Sequence, residues 1–98
     1  MSDTIQKTLA DREGTHGGFR HNSHLSQELK SVTRAHEGWD HLEFFEKEAL
    51  EMIIHKVSRI LAHARRSGDY KLRQDSWHDV AGYALLVENE GEPPNGQA

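Results

Sequence analysis

The chain has 98 residues and no cysteine, a length that suits one domain and a composition that excludes disulfides, thiolate catalysis and cysteine zinc sites. Its formal net charge is −4 with neutral histidines, so it lacks the basic excess that is typical of proteins that bind duplex phosphates. Hydrophobic residues make up 35% and charged residues 29%, a polar composition that still allows a folded core.

The N-terminal sequence predicts a short helix followed by a glycine-rich loop. Ser2 or Asp3 caps a helix over about 4–12. Glycines interrupt the next segment, so residues 12–19, REGTHGGF, are predicted to form a loop. This loop is either a plain flexible turn or an anion nest of backbone N–H groups, flanked by Arg12, His16 and Arg20.

Three further helices are predicted, over about 22–36, 40–66 and 75–89. Their predicted N-caps are Asn22 or Ser23, Asp40, and Asp75 or Ser76. No strand-like alternation longer than a few residues occurs. The sequence therefore predicts an all-α fold, a small bundle of about four helices in one domain over residues 1–90, followed by a disordered tail at 91–98.

The size and polarity of the chain also bear on its surroundings. A chain this short buries only a modest share of its surface, so we expect homo-oligomerisation to complete the bundle. The N-terminus has no apolar signal core, and the chain has no run of about 18 apolar residues. These absences predict a cytoplasmic protein without a membrane partner.

The third predicted helix carries an apolar stripe and a polar column on opposite sides, at about 100° per residue. The stripe consists of Ala49, Leu50, Ile53, Ile54, Val57, Ile60, Leu61 and Ala64. Its width predicts contact with more than one helix, or a bundle shared between subunits. The column consists of Glu48, Glu51, His55 and Arg59. It is either a solvated face with weak i,i+4 pairs or a face whose two glutamates hold Mg²⁺ through oxygen ligands.

The fourth predicted helix raises similar alternatives. One face is predicted to be apolar, with Trp77, Val80, Ala81, Ala84, Leu85 and Val87. Gly82, in the helix interior, predicts close approach of another backbone or a ligand. Asp75 and Asp79 lie one turn apart. They serve either as an N-cap and part of a capping box with Ser76, or as partners of Glu48 and Glu51 in a cluster of four carboxylates. Six histidines are interpreted as surface residues: His21, His24, His36, His41, His63 and His78.

Two runs of sequence carry a resemblance to known proteins. EALEMIIHKVSRIL and DSWHDVAGYALL, with DREGTHGGF and HLSQELKSVTRAHEGWDHL upstream, resemble a group of small proteins encoded by phages and prophages, over roughly residues 8–88. More distantly, the last two helices resemble the all-α nucleoside triphosphate pyrophosphohydrolases of the MazG type. Those enzymes carry ExxE on one helix and ExxD on the next, bind Mg²⁺, release pyrophosphate and assemble as dimers or tetramers. In this chain Ser76 stands where their second motif has glutamate.

The resemblance implies roles for individual residues. The metal ligands would be Glu48, Glu51 and Asp79, with Asp75 as a substitute ligand, and Glu51 and Asp79 would be catalytic. Lys56 and Arg59 would contact phosphate, the guanidinium in bidentate geometry. Tyr83 and Trp77 would either stack a base or pack in the core. Arg12, His16 and Arg20 would be further anion contacts.

Three functions follow as expectations. The first is a Mg²⁺-dependent nucleoside triphosphate pyrophosphohydrolase. The second is a non-catalytic phage accessory protein, active in the host cytoplasm, that binds or sequesters a nucleotide signal or a host protein in anti-defence. The third is a structural oligomer without a small-molecule site, in which the column from Glu48 to Arg59 faces bulk water.

Overall fold

A computed structural model describes residues 18–91, which form three α-helices. These are α1 (Phe19–Ala35), α2 (Phe44–Arg66) and α3 (Gln74–Gly91), with single 3₁₀ turns at Trp39–His41 and Tyr70–Leu72. No strand occurs in this part of the chain, and the all-α prediction is confirmed. The helix predicted over 4–12, the loop residues Arg12 and His16, and the tail after Gly91 lie outside the described residues, so a bundle of four helices stays a prediction.

The first described helix begins earlier than its predicted caps. Gly18 has φ 96°, in the left-handed region that glycine adopts readily, and α1 starts at the next residue. Asn22 and Ser23, predicted as caps, therefore lie inside the helix. Asn22 is buried, and the Ser23 hydroxyl donates to the carbonyl of Phe19.

The other two helices also begin at residues that the cap predictions missed. α2 starts after a capping box in which Glu43 and Glu46 satisfy each other's backbone N–H groups, while Asp40 lies in the preceding 3₁₀ turn. α3 starts ahead of Asp75, whose carboxylate lies in the first turn, where it complements the helix dipole. The predicted capping box of Ser76 with Asp79 is wrong because Ser76 is buried within the helix.

The central element is α2, and both other helices pack against it. Arg34 of α1 pairs with Glu51 near the start of α2, whereas His21 of α1 approaches Arg65 near its end, so these helices are antiparallel. α3 also returns antiparallel along α2 after a short connection. Among the described residues, α1 and α3 contact each other at most marginally. The molecule is therefore a row of helices with α2 in the middle.

The helices approach one another through small side chains. The buried apolar residues of the described chain are Ala49, Ile60 and Ala62, and the buried polar residues are Asn22, Ser26, Ser58, His63 and Ser76. Ser58 is completely buried, and its hydroxyl donates to the carbonyl oxygen of His55 at 2.7 Å. Most of these residues are alanines and serines, so short side chains set the spacing of the helices.

The apolar stripe on α2 is only partly covered by the other two helices. Ala49 and Ile60 are buried, but Leu50, Val57 and Leu61 are exposed by 36%, 36% and 51%. The predicted apolar face of α3 is divided in the same way, with Val80 and Val87 half-buried and Trp77 and Leu85 exposed. The reason is that α1 and α3 lie against the flanks of α2, which leaves the middle of its stripe uncovered.

No helix within residues 18–91 is both long enough and apolar enough to cross a membrane.

Candidate functional site

The polar column of α2 packs against α1. The Glu51 carboxylate forms an ion pair with Arg34 of α1, and its side chain is 23% exposed. His55 and Arg59 are also partly buried. Interpretation of the whole column as a solvated face is therefore wrong for this chain, because only Glu48 is classed as exposed.

The carboxylate of Asp79 is held by a lysine. The Lys56 ammonium lies 2.9 Å from Asp79 Oδ2, and the lysine side chain is only 12% exposed. The hydrogen bond from Lys56, and then its charge, lower the pKa of Asp79, with smaller contributions from His78 and Arg59. A residue predicted as a metal ligand thus has a cation as its neighbour in the single chain.

The charges of three basic residues act on His55. Burial is the main cause of the lowered pKa of His55, and Lys30 of α1, Lys56 and Arg59 lower it further. Arg59 also lowers the pKa of Asp79, so its charge acts on both sides of α2. We refer to Lys30, Lys56 and Arg59 as the cationic cluster.

Two carboxylates lie beside this cluster. Glu51 pairs with Arg34, and Asp79 pairs with Lys56. Basic side chains that are partly shielded from water attract anions such as phosphate.

An open cleft of about 440 Å³ lies between the beginning of α2 and the end of α3. It is lined by Phe44, Phe45, Glu48, Ala49, Tyr83, Leu86, Val87 and Glu90, and we call it the aromatic cleft. The rings of Phe44 and Phe45 meet edge to face, with centroids 5.8 Å apart. The structure therefore brings Tyr83 and Glu48, two predicted site residues, to one cavity.

The four predicted metal ligands do not meet within one chain. Among the described residues, no three histidine, aspartate or glutamate side chains form a group that fits a metal ion. Glu48 precedes Lys56, the partner of Asp79, by eight residues, or about 12 Å along the helix axis. Mg²⁺ requires its ligands at about 2.0–2.1 Å. As placed here, the four carboxylates do not fit one Mg²⁺, and the magnesium site stays a prediction for the assembled protein.

Arg20 is separated from the other predicted anion contacts. It lies at the start of α1 and lines a second open cleft with Gly18, His21 and His24. His21 Nε2 is 3.4 Å from Arg65 Nη1, which places this cleft beside the end of α2. Arg20 and Tyr83 therefore belong to opposite ends of the molecule.

Sequence reasoning missed Lys30, Arg34 and Phe45. Lys30 and Arg34 are four residues apart, so they share one face of α1, and that spacing was the available signal. The prediction of His63 as a surface residue is wrong, since its side chain is buried in the row of helices. His24 is exposed, as predicted, and lies 2.7 Å from Glu28.

The comparisons with known proteins add no relative. No family model matches the chain, and no significant match was found among curated proteins or solved structures. The resemblances to the phage-encoded group and to the MazG type therefore stay predictions.

Proposed function

We propose that this protein binds a nucleotide-like ligand without hydrolysing it, with phosphate at the cationic cluster and the base in the aromatic cleft. The observation that carries the proposal is a largely covered lysine, Lys56, whose side chain is 12% exposed. Together with Lys30 and Arg59, its charge acts on the partly buried His55. The cations come from two helices, so the fold itself brings their charges together.

Electrostatics supports an anion as the ligand. Each cation raises the energy of its neighbours, and that repulsion is larger in a partly buried site than in bulk water. A phosphate group would relieve it and accept hydrogen bonds from the Lys56 ammonium and, in bidentate geometry, from the Arg59 guanidinium. Neutral His55 would add a hydrogen-bond donor or, after protonation, a further positive charge.

The distance between the two features supports a nucleotide rather than inorganic phosphate. Ala49 in the aromatic cleft and Lys56 in the cationic cluster are seven residues apart on α2, about 10 Å along the axis. An extended nucleoside polyphosphate spans such a distance. The ring of Tyr83, which lines the cleft, would stack against the base.

The ion pairs favour binding over turnover. Glu51 and Asp79, the residues assigned to catalysis by the resemblance, are paired with Arg34 and Lys56. The Mg²⁺-dependent pyrophosphohydrolase remains the competing prediction, and pyrophosphate release distinguishes the two.

The test is calorimetric titration with linear nucleoside triphosphates and cyclic dinucleotides, each with and without Mg²⁺. We expect at least one nucleotide to bind and to be recovered intact. Lys56→Gln should weaken that binding by roughly tenfold or more, because a hydrogen bond to a charged group contributes about 1.5–3 kcal/mol. Lys71→Gln is the matched control, since it removes the same charge from an exposed site on the turn before α3.

Two results would overturn the proposal. One is no binding across the panel, which would leave only protein partners among the anti-defence functions. The other is an equal effect of Lys56→Gln and Lys71→Gln, which would mean that general charge and not the cluster attracts the ligand. Release of pyrophosphate that requires Mg²⁺ and is lost in Glu51→Gln would support the hydrolase instead.

A further inference from the structure

The side of α2 that faces away from α1 and α3 is apolar. Leu50, Val57 and Leu61 are between 36% and 51% exposed there, and Ala64 is exposed beside them. By contrast, the side chain of Lys56, on the flank that faces α3, is largely covered. Covered charged side chains together with an exposed apolar side mark an interaction surface more strongly than scattered exposed leucines would.

This exposed side has the spacing of a helix–helix seam. Five apolar residues follow one another at intervals of four, three, four and three: Leu50, Ile54, Val57, Leu61 and Ala64. That is the heptad spacing with which one helix packs along another. We call these five residues the outer seam. Because the seam runs along most of α2, its natural occupant is a second helix of similar length.

We propose that the outer seam is a homodimer interface, in which α2 of two copies pack antiparallel about a two-fold axis at Val57. A two-fold interface must be complementary to itself. The seam meets this condition because Leu50 and Ala64 lie seven residues on either side of Val57. An antiparallel pair places each large Leu50 against a small Ala64, and Val57 against its own copy.

Charge at the ends of α2 favours the same arrangement. Its first turn contains Glu46, and its last turn contains His63, Arg65 and Arg66. An antiparallel pair sets the acidic end of each helix beside the basic end of the other and also opposes the two helix dipoles. A parallel pair would bring like charges together at both ends.

Residues 18–91 also have little apolar core of their own. The buried apolar residues among them are Ala49, Ile60 and Ala62, two of which are alanines. Chains of about this size depend on a well-filled core or on association for their stability. Pairing through the outer seam would add leucine, isoleucine and valine side chains to the buried apolar surface.

Single cysteines test both the contact and its direction, because the natural chain has none. Under mild oxidation we expect Val57→Cys to form a disulfide-linked dimer, since residue 57 meets its own copy within the reach of about 4.4–6.8 Å between Cα atoms. Leu50→Cys should not, because the two copies of residue 50 would be about 21 Å apart. Crosslinking of both variants would indicate parallel packing and overturn the proposal, and so would crosslinking of neither.

Sedimentation equilibrium supplies a second test that does not depend on nucleotide binding. Leu61→Glu should raise the dissociation constant of the dimer by roughly a hundredfold, because each dimer would bury two carboxylates. Leu85→Glu is the matched control, because Leu85 lies on α3 outside the aromatic cleft and is 55% exposed, against 51% for Leu61. The wild-type chain must be dimeric at micromolar concentration. A monomer at every concentration, or equal effects of the two substitutions, would refute the interface whatever the nucleotide titrations show.

Discussion

The ammonium of Lys56 and the carboxylate of Asp79, 2.9 Å apart, join α2 to α3. The resemblance predicts that Asp79 binds a metal ion, whereas in the structure its carboxylate pairs with Lys56. The pair adds to the charged contacts on the polar side of α2. Substitutions of single residues test each of these contacts.

The first prediction concerns that ion pair. In Lys56→Met the pKa of Asp79 should rise towards its ordinary value of 3.8, because the hydrogen bond and charge that lower it are removed. A carbon-detected NMR titration of the Asp79 carboxyl measures the change. Lys71→Met should leave the Asp79 titration unaltered, and an equal shift in both variants would contradict a specific contact.

The second prediction concerns stability against pH. The pKa of His55 is lowered in the folded chain from 6.5, mainly by burial, so the unfolded chain binds its proton more readily. Neutral His55 therefore makes its full contribution to folding stability above pH 6.5. This contribution is lost as the pH falls below 6.5 and through the lowered pKa of the folded chain. Urea unfolding at pH 7.5 and pH 5.0 should show a smaller loss of stability in His55→Gln than in the wild type. The other histidines are the same in both proteins, so their contributions cancel in this comparison. Identical losses of stability in the two proteins would contradict the prediction.

The third prediction links His55 to ligand binding. A phosphate beside Lys30, Lys56 and Arg59 would offset their charges, so a bound nucleotide should raise the pKa of His55. Proton NMR of the imidazole, with and without ligand, measures this shift. His24 pairs with Glu28 on the outer side of α1 and serves as the internal reference. A His55 resonance that titrates identically in both samples would argue against phosphate at the cluster.

The fourth prediction concerns Gly82. The sequence predicts close approach of another backbone or a ligand, but a Cβ at this position would meet no atom of the chain within 4 Å. Gly82→Ala should therefore stabilise the protein by about 1 kcal/mol, the usual difference in helix propensity. The neighbouring exposed Ala81→Gly should cost about as much. Denaturant unfolding measures both changes, and destabilisation by Gly82→Ala would reveal a close neighbour in the assembled protein.

The fifth prediction concerns Ser58, which has no exposed surface. Ser58→Leu should destabilise the fold by about 1–3 kcal/mol or more, because the added methyl groups have no room between the helices. Ser31→Leu makes the same chemical change at an exposed position of α1 and should have little effect. Thermal unfolding followed by circular dichroism compares the two, and similar midpoints would show that the helices separate easily.

The sequence was informative about which segments are helical. Helical periodicity placed the ends of α1 and α2 within one residue of those observed. The starts were less accurate, because several residues in each segment have cap-forming side chains. Glu43, not Asp40, forms the capping box of α2, and only its partner Glu46 distinguishes it.

Periodicity could not tell which side of a helix is covered. It correctly grouped the stripe and the column on opposite sides of α2, but their burial depends on where α1 and α3 pack. That choice depends on small residues such as Ser26 and Ser58, which a hydrophobic pattern ignores. The same limit applies to the candidate site. Lys56 and Tyr83 were identified through the resemblance, whereas Lys30 was missed because its neighbours are distant in sequence.

The marginal contact between α1 and α3 has a mechanical consequence. Each of these helices rests on α2, so a tilt of one is not transmitted to the other through direct packing. A ligand that contacts Lys30 on α1, Lys56 on α2 and Tyr83 on α3 would connect all three helices. Without the ligand, α1 and α3 would tilt independently on α2. With the ligand bound, this motion would be restricted and the backbone amides would exchange more slowly.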